Sequence, residues 1–334
     1  MDEAPPDPVR VHRVSVVIPV YRGETTLAAL VDTILRMPPE WTSPGGHRLV
    51  IDEVLLVWDR GPDRSDKVIR ELTSKDERVR PVWLTRNFGQ HAATLAGMAS
   101  SGGDWVATLD EDGQHDVTAI ATLLDCALQE RAAVVYAHPA EEAHHGFLRR
   151  ASSRLAKWSV VLLAGSRESV RYNSYRLVIG EVARSVAAYA GSGVYLDVAL
   201  GWVTHDVAVC QVPQSLPTQR PSGYSFRTLL SHYWRMVISS GTRVLRLVSL
   251  TGVLLAVIGV VLAVLLASSV ALGYTPEVQG WASTIVIMLL TSGATMFALG
   301  VIAEYLGAVV NMAMGKPLYL IGSDPESGPL GPRP

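Results

Sequence analysis

Hydrophobic residues in the first 140 positions fall into short continuous runs separated by segments of helical periodicity. Continuous apolar, β-branched runs are typical of strands buried on both faces of a sheet. The strands predicted in this way are Val14–Pro19, Glu53–Asp59, Val79–Leu84, Asp104–Asp110 and Ala132–Ala137. Between them, apolar residues recur every three or four positions, as at Leu27, Leu30, Val31 and Ile34. Strands that alternate with helices predict an α/β fold with an open, mostly parallel sheet.

The C-terminal third has a different pattern. No residue is charged from Leu247 to Pro276, nor from Val278 to Ala303. Each run exceeds the ~20 residues that cross a bilayer as a helix. Basic residues flank the pair at Arg243, Arg246 and Lys316, which predicts cytoplasmic flanks and an external turn. We therefore expect a two-span protein of the cell inner or plasma membrane, with its α/β domain and both termini cytoplasmic. Two buried helices of a soluble protein are the alternative.

These patterns divide the chain into segments. An acidic, Pro-rich beginning predicts a disordered tail. Two basic amphipathic stretches predict helices that lie in the membrane interface. For the earlier of these two stretches, an ordinary solvated helix is the alternative. The predicted segments are a tail at 1–12, an α/β domain at 13–222 with an interfacial helix at 147–163, a juxtamembrane amphipathic helix at 223–245, a transmembrane hairpin at 246–310 with spans at about 247–272 and 281–303, and a cytoplasmic tail at 311–334.

Charge and cysteine content narrow the function classes. The formal net charge is −2, so no global basic surface favours nucleic acid. Cys126 and Cys210 lack metal-ligand spacing and are predicted to be buried free thiols in a reducing compartment. The first strand is followed by the single glycine Gly23, without the G-x-G-x-x-G fingerprint, which argues against a dinucleotide-binding dehydrogenase.

The candidate chemistry lies in the stretch Asp110-Glu111-Asp112. In open α/β sheets, ligands bind outside the carboxyl ends of the strands, and this stretch follows the fourth predicted strand. Carboxylates two residues apart on a strand point the same way, so Asp110 and Asp112 are candidate ligands for Mg²⁺ or Mn²⁺. Strand alternation directs Glu111 away from them. An acidic turn with Asp116 as helix cap is the alternative interpretation.

Four motifs, VSVVIPVYRGE, VLLVWDRGPDRS, LTRNFGQHAATLAGM and GDWVATLDEDGQH, resemble family 2 glycosyltransferases with a GT-A fold. The later motifs QRPSGYSF, TRVLRL and GKPLYLIG resemble the polyprenyl-phosphate glycosyltransferases, the group that contains dolichyl-phosphate mannose synthases and bacterial undecaprenyl-phosphate sugar transferases. The chain departs from the group's pattern where Trp58 precedes a single acid, Asp59, and where Gly223-Tyr224-Ser225-Phe226 replaces G-E-S-K.

The resemblance implies roles for individual residues. Those implied to bind the nucleotide sugar are Pro19, Tyr21, Glu24, Asp59, Arg86, Asn87, Asp110 and Gln114. Those implied to hold the metal are Asp110, Asp112 and Gln114, and those implied to be catalytic are Asp112 and Arg220. Those implied to meet the acceptor phosphate are Arg149, Arg150 and Ser153, with the choice between the two arginines open.

The resemblance also implies a reaction. A sugar would pass, with inversion, from a nucleotide diphosphate sugar to an undecaprenyl or dolichyl monophosphate at the cytoplasmic membrane face, aided by Mg²⁺ or Mn²⁺. UDP-glucose, UDP-N-acetylglucosamine and GDP-mannose stay open as donors, with UDP-sugars favoured. The other expected partners are membrane lipids, and a homo-oligomer is allowed. The alternatives are a processive polysaccharide synthase, which normally carries Q-x-x-R-W and more spans, and a catalytically degenerate nucleotide-sugar-binding membrane protein.

Overall fold

A computed structural model describes residues 10–139, 172–191, 194–213, 243–272 and 281–328. The N-terminal part contains β1 (Val11–Val20), α1 (Leu27–Leu35), β2 (Trp41–Thr42), β3 (Arg48–Trp58), α2 (Ser65–Lys75), β4 (Val79–Leu84), α3 (Gln90–Ser100), β5 (Trp105–Thr108), α4 (Ala119–Glu130) and β6 (Val134–Pro139). The later elements are β7 (Arg176–Ile179), α5 (Gly180–Tyr189), α6 (Leu196–Val203), β8 (Val207–Val212), α7 (Arg243–Ala271), α8 (Trp281–Ala313) and β9 (Ile321–Gly322).

These strands form one mixed sheet in the order β8-β6-β7-β5-β1-β3-β4-β9, with β2 paired to β3. Strands β5, β1, β3 and β4 run parallel, as do β6 and β8, whereas β7 and β9 are antiparallel to their neighbours. The predicted α/β class with a mostly parallel sheet is therefore confirmed. The parallel block brings the carboxyl ends of β1, β3, β4 and β5 to one edge.

Side-chain alternation along β1 explains why helices cover both faces of the sheet. Val16 and Ile18 pack into a core with residues of α1, α2 and α4, whereas Val17 packs on the other face with residues of α3 and α5. Helix α3 lies very close to the sheet at Gly97, where a Cβ would stand 2.3 Å from Cγ1 of Val17. A larger residue there would push α3, and the loop that precedes it, away from the sheet.

The predicted fourth strand is too long at its carboxyl end. Strand β5 ends at Thr108, and the acidic residues that follow form a turn in which Gly113 has φ +71°. Glu111 lies beyond the end of the strand, so strand alternation does not decide where its side chain points. A turn can direct each carboxylate to a different partner, as the site described below shows.

Helices α7 and α8 are long and apolar enough to cross a membrane at Val244–Leu262 and Leu290–Ala313. Large apolar side chains along them are exposed, for example Leu254 and Phe297. Helix α8 continues past the predicted boundary at 303. Instead of a separate tail, the chain then returns to the α/β sheet, where Ile321 pairs with Leu84 of β4. Exposed apolar side chains along two helices of this length are compatible with membrane spans.

Candidate active site at the carboxyl edge of the sheet

The loop after β1 is fastened to the acidic turn by Glu111. Its carboxylate accepts hydrogen bonds from the backbone N–H groups of Tyr21 and Arg22, each at 2.9 Å. Burial raises the pKa of Glu111 above its ordinary value, and these two hydrogen bonds act in the opposite direction. Glu111 thus holds together two loops that are about 90 residues apart in sequence. The sequence analysis gave it no role.

The loop after β3 packs against the same β1 loop. Its Gly61 lies so close that a Cβ would stand 1.6 Å from the carbonyl oxygen of Tyr21, so that only glycine is accommodated there. The two loops also exchange hydrogen bonds, since Arg64 N–H donates to Glu24 at 3.1 Å and Glu24 N–H donates to Asp63 at 3.1 Å. The predicted nucleotide residues Tyr21 and Glu24 therefore lie on one cross-linked surface, with the Tyr21 side chain exposed.

Asp59 follows β3 and is 3% exposed. Its two oxygens accept the backbone N–H groups of Phe88 and Gly89 at 2.7 and 2.8 Å. Burial raises the pKa of Asp59, while these hydrogen bonds and the charge of Arg86 lower it. The carboxylate thus fixes the loop after β4, a role that sequence analysis did not predict. Its contact with a donor base stays a prediction.

That loop presents Arg86 and Asn87 to solvent at the same edge. The Arg86 guanidinium stands 4.0 Å from the centroid of the Phe88 ring and donates to the Asn87 carbonyl at 3.3 Å. Stacking keeps a long side chain extended without using all five of its N–H donors. The predicted pair is therefore positioned where an anionic ligand can reach it.

Asp110 and Asp112 lie in the turn after β5. Asp110 accepts hydrogen bonds from Gln90 Nε2 at 2.7 Å and from Ser174 Oγ at 2.6 Å, one on each oxygen. Asp112 accepts the backbone N–H of Gln114 at 3.1 Å, and the Gln114 side chain is exposed. Asp110 is thus fixed by side chains, whereas Asp112 makes a local turn contact.

His115 stands beside this acidic pair. Burial lowers its pKa, although the charges of Asp110 and Asp112 act to raise it. Its Nδ1 accepts the Asp110 backbone N–H at 3.2 Å, and its ring stacks on Tyr175 at 4.9 Å. Since Nδ1 is the acceptor, a neutral ring carries its proton on Nε2.

The donor set suits a divalent cation that is shared with a substrate. Within the described ranges, no three His, Cys, Asp or Glu side chains are arranged to hold a metal ion. Mg²⁺, however, is commonly bound by one or two carboxylates together with substrate phosphates. Each Asp110 oxygen accepts one hydrogen bond and keeps a second lone pair. Asp110 and Asp112 therefore fit an ion whose remaining ligands come from a diphosphate.

A cavity of about 220 Å³ opens beside Asp110, between the sheet edge and the start of α6. Apart from Pro19 and Asp110, its lining was not predicted. The lining residues are Pro19, Gln90, His91, Thr94, Thr108, Leu109, Asp110, Tyr172, Asn173, Ser174, Arg176, Tyr195 and Asp197. The sequence did contain a signal for this part of the lining. Arg176 and Asp197 are charged residues next to apolar runs, and charged residues are rarely buried unless they are paired.

The wall of this cavity contains a buried ion pair. Nη1 of Arg176 donates to Asp197, and the hydroxyl of Tyr136 donates to the same carboxylate at 2.8 Å. Burial by itself would lower the pKa of Arg176, but the Asp197 carboxylate raises it above its ordinary value. The guanidinium also stands 5.6 Å from the centroid of the Tyr136 ring. Arg176 is therefore a fixed cation in the cavity wall.

Four predicted site residues, Arg149, Arg150, Ser153 and Arg220, lie outside the described residues, as do the predicted interfacial helix at 147–163 and most of the juxtamembrane helix. The eight predicted residues at positions 19 to 114 that were assigned to the nucleotide sugar all lie on strands or loops of this sheet edge. With Asp112 in the turn after β5, the structure brings nine of the thirteen predicted site residues to one edge.

Comparison with known proteins agrees with the motifs. Residues 15–183, just over half of the chain, match glycosyl transferase family 2. A protein of Pseudomonas aeruginosa strain LESB58, named undecaprenyl-phosphate 4-deoxy-4-formamido-L-arabinose transferase, is 31% identical over 321 residues, which cover 94% of this chain and 91% of that protein. A protein of the same name from Proteus mirabilis strain HI4320 is 26% identical over 314 residues, which cover 93% of this chain and 94% of that protein.

Among solved structures, glucosyl-3-phosphoglycerate synthase from Mycobacterium tuberculosis, in complex with Mn²⁺, UDP and glucosyl-3-phosphoglycerate, is similar with a TM-score of 0.47 and 18% identity. The similarity covers 70% of this chain and 80% of that chain.

Proposed function

Since the chain belongs to glycosyl transferase family 2, we propose that it moves a sugar from a nucleotide diphosphate sugar to a polyprenyl monophosphate. This proposal rests on one observation: the acidic turn and its cavity lie at the edge of a sheet, and the chain that follows the apolar hairpin adds strand β9 to that same sheet. The names of the two relatives include undecaprenyl phosphate as acceptor, which supports the same class of acceptor here. A lipid acceptor requires an enzyme that stays at the membrane.

In the proposed reaction, an oxygen of the lipid phosphate forms a bond to the anomeric carbon of the sugar. The bond from that carbon to the diphosphate oxygen breaks, and the nucleoside diphosphate leaves with the electron pair from the opposite face, which inverts the configuration. A phosphate monoester has its second pKa near ~6, so the acceptor is largely dianionic at neutral pH. No protein base is needed to activate it, in contrast to transfer to a hydroxyl group.

Negative charge develops on the leaving diphosphate, and this is the charge that the site must stabilise. We propose that Asp110 and Asp112, with Gln114, hold Mg²⁺ or Mn²⁺ there. Such an ion, when bound, supplies electrostatic stabilisation of the leaving group. The hydrogen bonds from Gln90 and Ser174 keep the Asp110 carboxylate oriented before substrate arrives.

The remaining predicted residues have proposed positions around this centre. Pro19, Tyr21, Glu24, Asp59, Arg86 and Asn87 would line the nucleotide. Arg220 would assist departure of the diphosphate, and Arg149 or Arg150, with Ser153, would meet the lipid phosphate. A guanidinium fork matches phosphate geometry, which supports arginine in both places. We propose the predicted domain layout with one change, namely that the segment after α8 belongs to the catalytic sheet.

We propose further that α7 and α8 cross the inner membrane, with the catalytic domain and both termini on the cytoplasmic side. The cytoplasmic orientation is supported by the basic residues that flank the hairpin at Arg243, Arg246 and Lys316. Nucleotide sugars are cytoplasmic metabolites in this scheme, so the acidic turn must face that side. The proposed donor is a UDP-sugar, and the relatives' names favour a modified pentose as its sugar.

One assay tests the proposal. Detergent-solubilised protein is incubated with undecaprenyl phosphate, Mg²⁺ or Mn²⁺, and one labelled nucleotide sugar at a time, namely UDP-glucose, UDP-N-acetylglucosamine, GDP-mannose and a UDP-linked amino-arabinose derivative. We expect label in a lipid that carries a single sugar. A long polymer would indicate a processive synthase instead, and tight binding without transfer would indicate a degenerate binder.

A further inference from the structure

The cavity beside Asp110 has the size of a site for one ring. Its volume of about 220 Å³ is below the ~300–1,000 Å³ usual for pockets that hold whole drug-sized ligands. A nucleotide would have to lie outside it, over the exposed loops that carry Tyr21 and Arg86. Only a small part of a nucleotide sugar, the sugar itself, would then enter.

The side chain of Arg176 is part of the wall of this cavity. Its side chain is 4% exposed, and among the described residues Nη1 is its one nitrogen with a hydrogen-bond partner, Asp197. Nε is fully buried and has no hydrogen-bond partner among the described residues. A buried charged donor without a partner is costly, so an acceptor oxygen that reaches this guanidinium from the cavity is bound favourably.

Charge decides which kind of oxygen this is. Among the described residues that line the cavity, the charged side chains are Arg176, Asp197 and Asp110. The Asp197 carboxylate balances the Arg176 cation, and the proposed divalent ion would balance Asp110 and Asp112, so the wall has no surplus positive charge with which to hold a carboxylate or phosphate. A neutral oxygen, such as a hydroxyl or an amide carbonyl, can accept from the guanidinium without such a surplus.

We propose that Arg176, held in place by Asp197, is a specificity-determining residue that donates hydrogen bonds to a neutral oxygen substituent on the donor sugar. The inference rests on the proposed function and adds the class of sugar to it: a neutral sugar that carries a hydroxyl or acylamino oxygen at the position facing Arg176. The rings of Tyr172, Tyr195 and His91 form the rest of the wall, and apolar ring faces next to a few fixed polar groups are typical of small-molecule sites.

The test compares two affinities of full-length protein in detergent with Mg²⁺ present. Calorimetry measures binding of UDP-glucose, UDP-N-acetylglucosamine, GDP-mannose and a UDP-linked amino-arabinose derivative, and of UDP and GDP without a sugar. Arg176→Lys keeps a cation beside Asp197 but removes the guanidinium donors. We expect it to weaken binding of the preferred nucleotide sugar about tenfold or more, and to leave the affinity for the nucleotide diphosphate unchanged.

Arg184→Lys is the matched control, because it makes the same exchange at an arginine that donates to the carbonyls of Ser101 and Gly103 and lies outside the cavity lining. It should keep the wild-type ratio of the two affinities. If Arg176→Lys fails to fold, the apolar pair Arg176→Met with Asp197→Leu replaces it, since such exchanges of a buried ion pair are often tolerated. It should lose the preference among sugars and keep binding of the nucleotide diphosphate.

An unchanged ratio of affinities in the folded Arg176 variant would overturn the inference. Failure of the proposed function has a different signature, because the wild-type protein would then bind none of the nucleotide sugars and neither nucleotide diphosphate.

Discussion

Two pairs of carboxylates lie at the same edge of the sheet and differ in the groups that donate hydrogen bonds to them. Asp59 and Glu111 accept backbone N–H groups from neighbouring loops, and burial raises the pKa of both. Asp110 accepts from two side chains, and Asp112 from its own turn. The first pair therefore fixes loops, and the second keeps lone pairs that, in the proposed function, bind a metal ion. The same residue type after a strand thus differs in its hydrogen-bond donors, and we propose that this difference separates a structural from a chemical role.

The difference has a physical origin. Backbone amides are fixed by the fold, so a carboxylate that accepts two of them cannot turn toward a substrate without leaving those amides unpaired. Side-chain donors such as Gln90 and Ser174 can rearrange at lower cost. A ligand-binding carboxylate is therefore better oriented by side chains than by loop amides.

The largest expected effect comes from Asp112→Asn. If this pair carries the chemistry, loss of one charge near the leaving diphosphate should lower kcat by about 10²–10³-fold, and the melting temperature should stay within about 2 °C of the wild type. Transfer of labelled sugar to undecaprenyl phosphate measures the rate. Asp116→Asn is the nearby control, because Asp116 accepts hydrogen bonds from the backbone N–H and the hydroxyl of Thr118, just before α4. Wild-type turnover by Asp112→Asn would contradict the assignment.

Asp59→Ala tests the structural pair. The variant leaves the N–H groups of Phe88 and Gly89 without their acceptor, so the free energy of unfolding should fall by about 3 kcal/mol. Because the same loop carries Arg86 and Asn87, KM for the nucleotide sugar should rise as well. Chemical denaturation and steady-state kinetics measure the two effects. A variant as stable as the wild type would contradict the structural role assigned to Asp59.

A pH series with Glu111→Gln sharpens the comparison. Burial raises the folded-state pKa of Glu111, so folding favours its protonated form. The contribution of the group is complete below its unfolded pKa near ~4.3 and is lost as the pH rises through the raised folded value. We therefore expect the stability of the wild type, relative to Glu111→Gln, to decrease with rising pH above about 4. Denaturation curves from pH 4 to 8 measure this difference, and the opposite slope would refute the assigned direction.

The smallest expected effect concerns a carboxylate held by a cation. Asp324, after β9, accepts from Nη2 of Arg70 at 2.8 Å and from Nε at 2.9 Å, and this arginine lowers its pKa. A double-mutant cycle with Arg70→Ala and Asp324→Ala should give a coupling energy of about 0.5–1 kcal/mol, since the pair lies near the surface. No coupling would mean that β9 is held by its backbone pairing alone.

Local pattern determined much of this fold. The predicted bounds of β4 coincide with those in the structure, because a buried strand is marked by the continuous apolar run of its own residues. The same holds for the two long apolar helices, whose character follows from the absence of charge. The acidic turn was found because it directly follows a buried strand, and ligands bind outside the carboxyl ends of the strands in open α/β sheets.

Only the tertiary structure decided which of those carboxylates fastens loops and which faces the cavity. Glu111 meets Tyr21 across about 90 positions, and Arg176 meets Asp197 across 21. Ile321 reaches β4 after two long helices. Periodicity describes how one element presents its faces, but it has no information about which distant element packs against them. The sequence therefore placed the acidic turn at a strand end, and the packing of distant segments around it made the site.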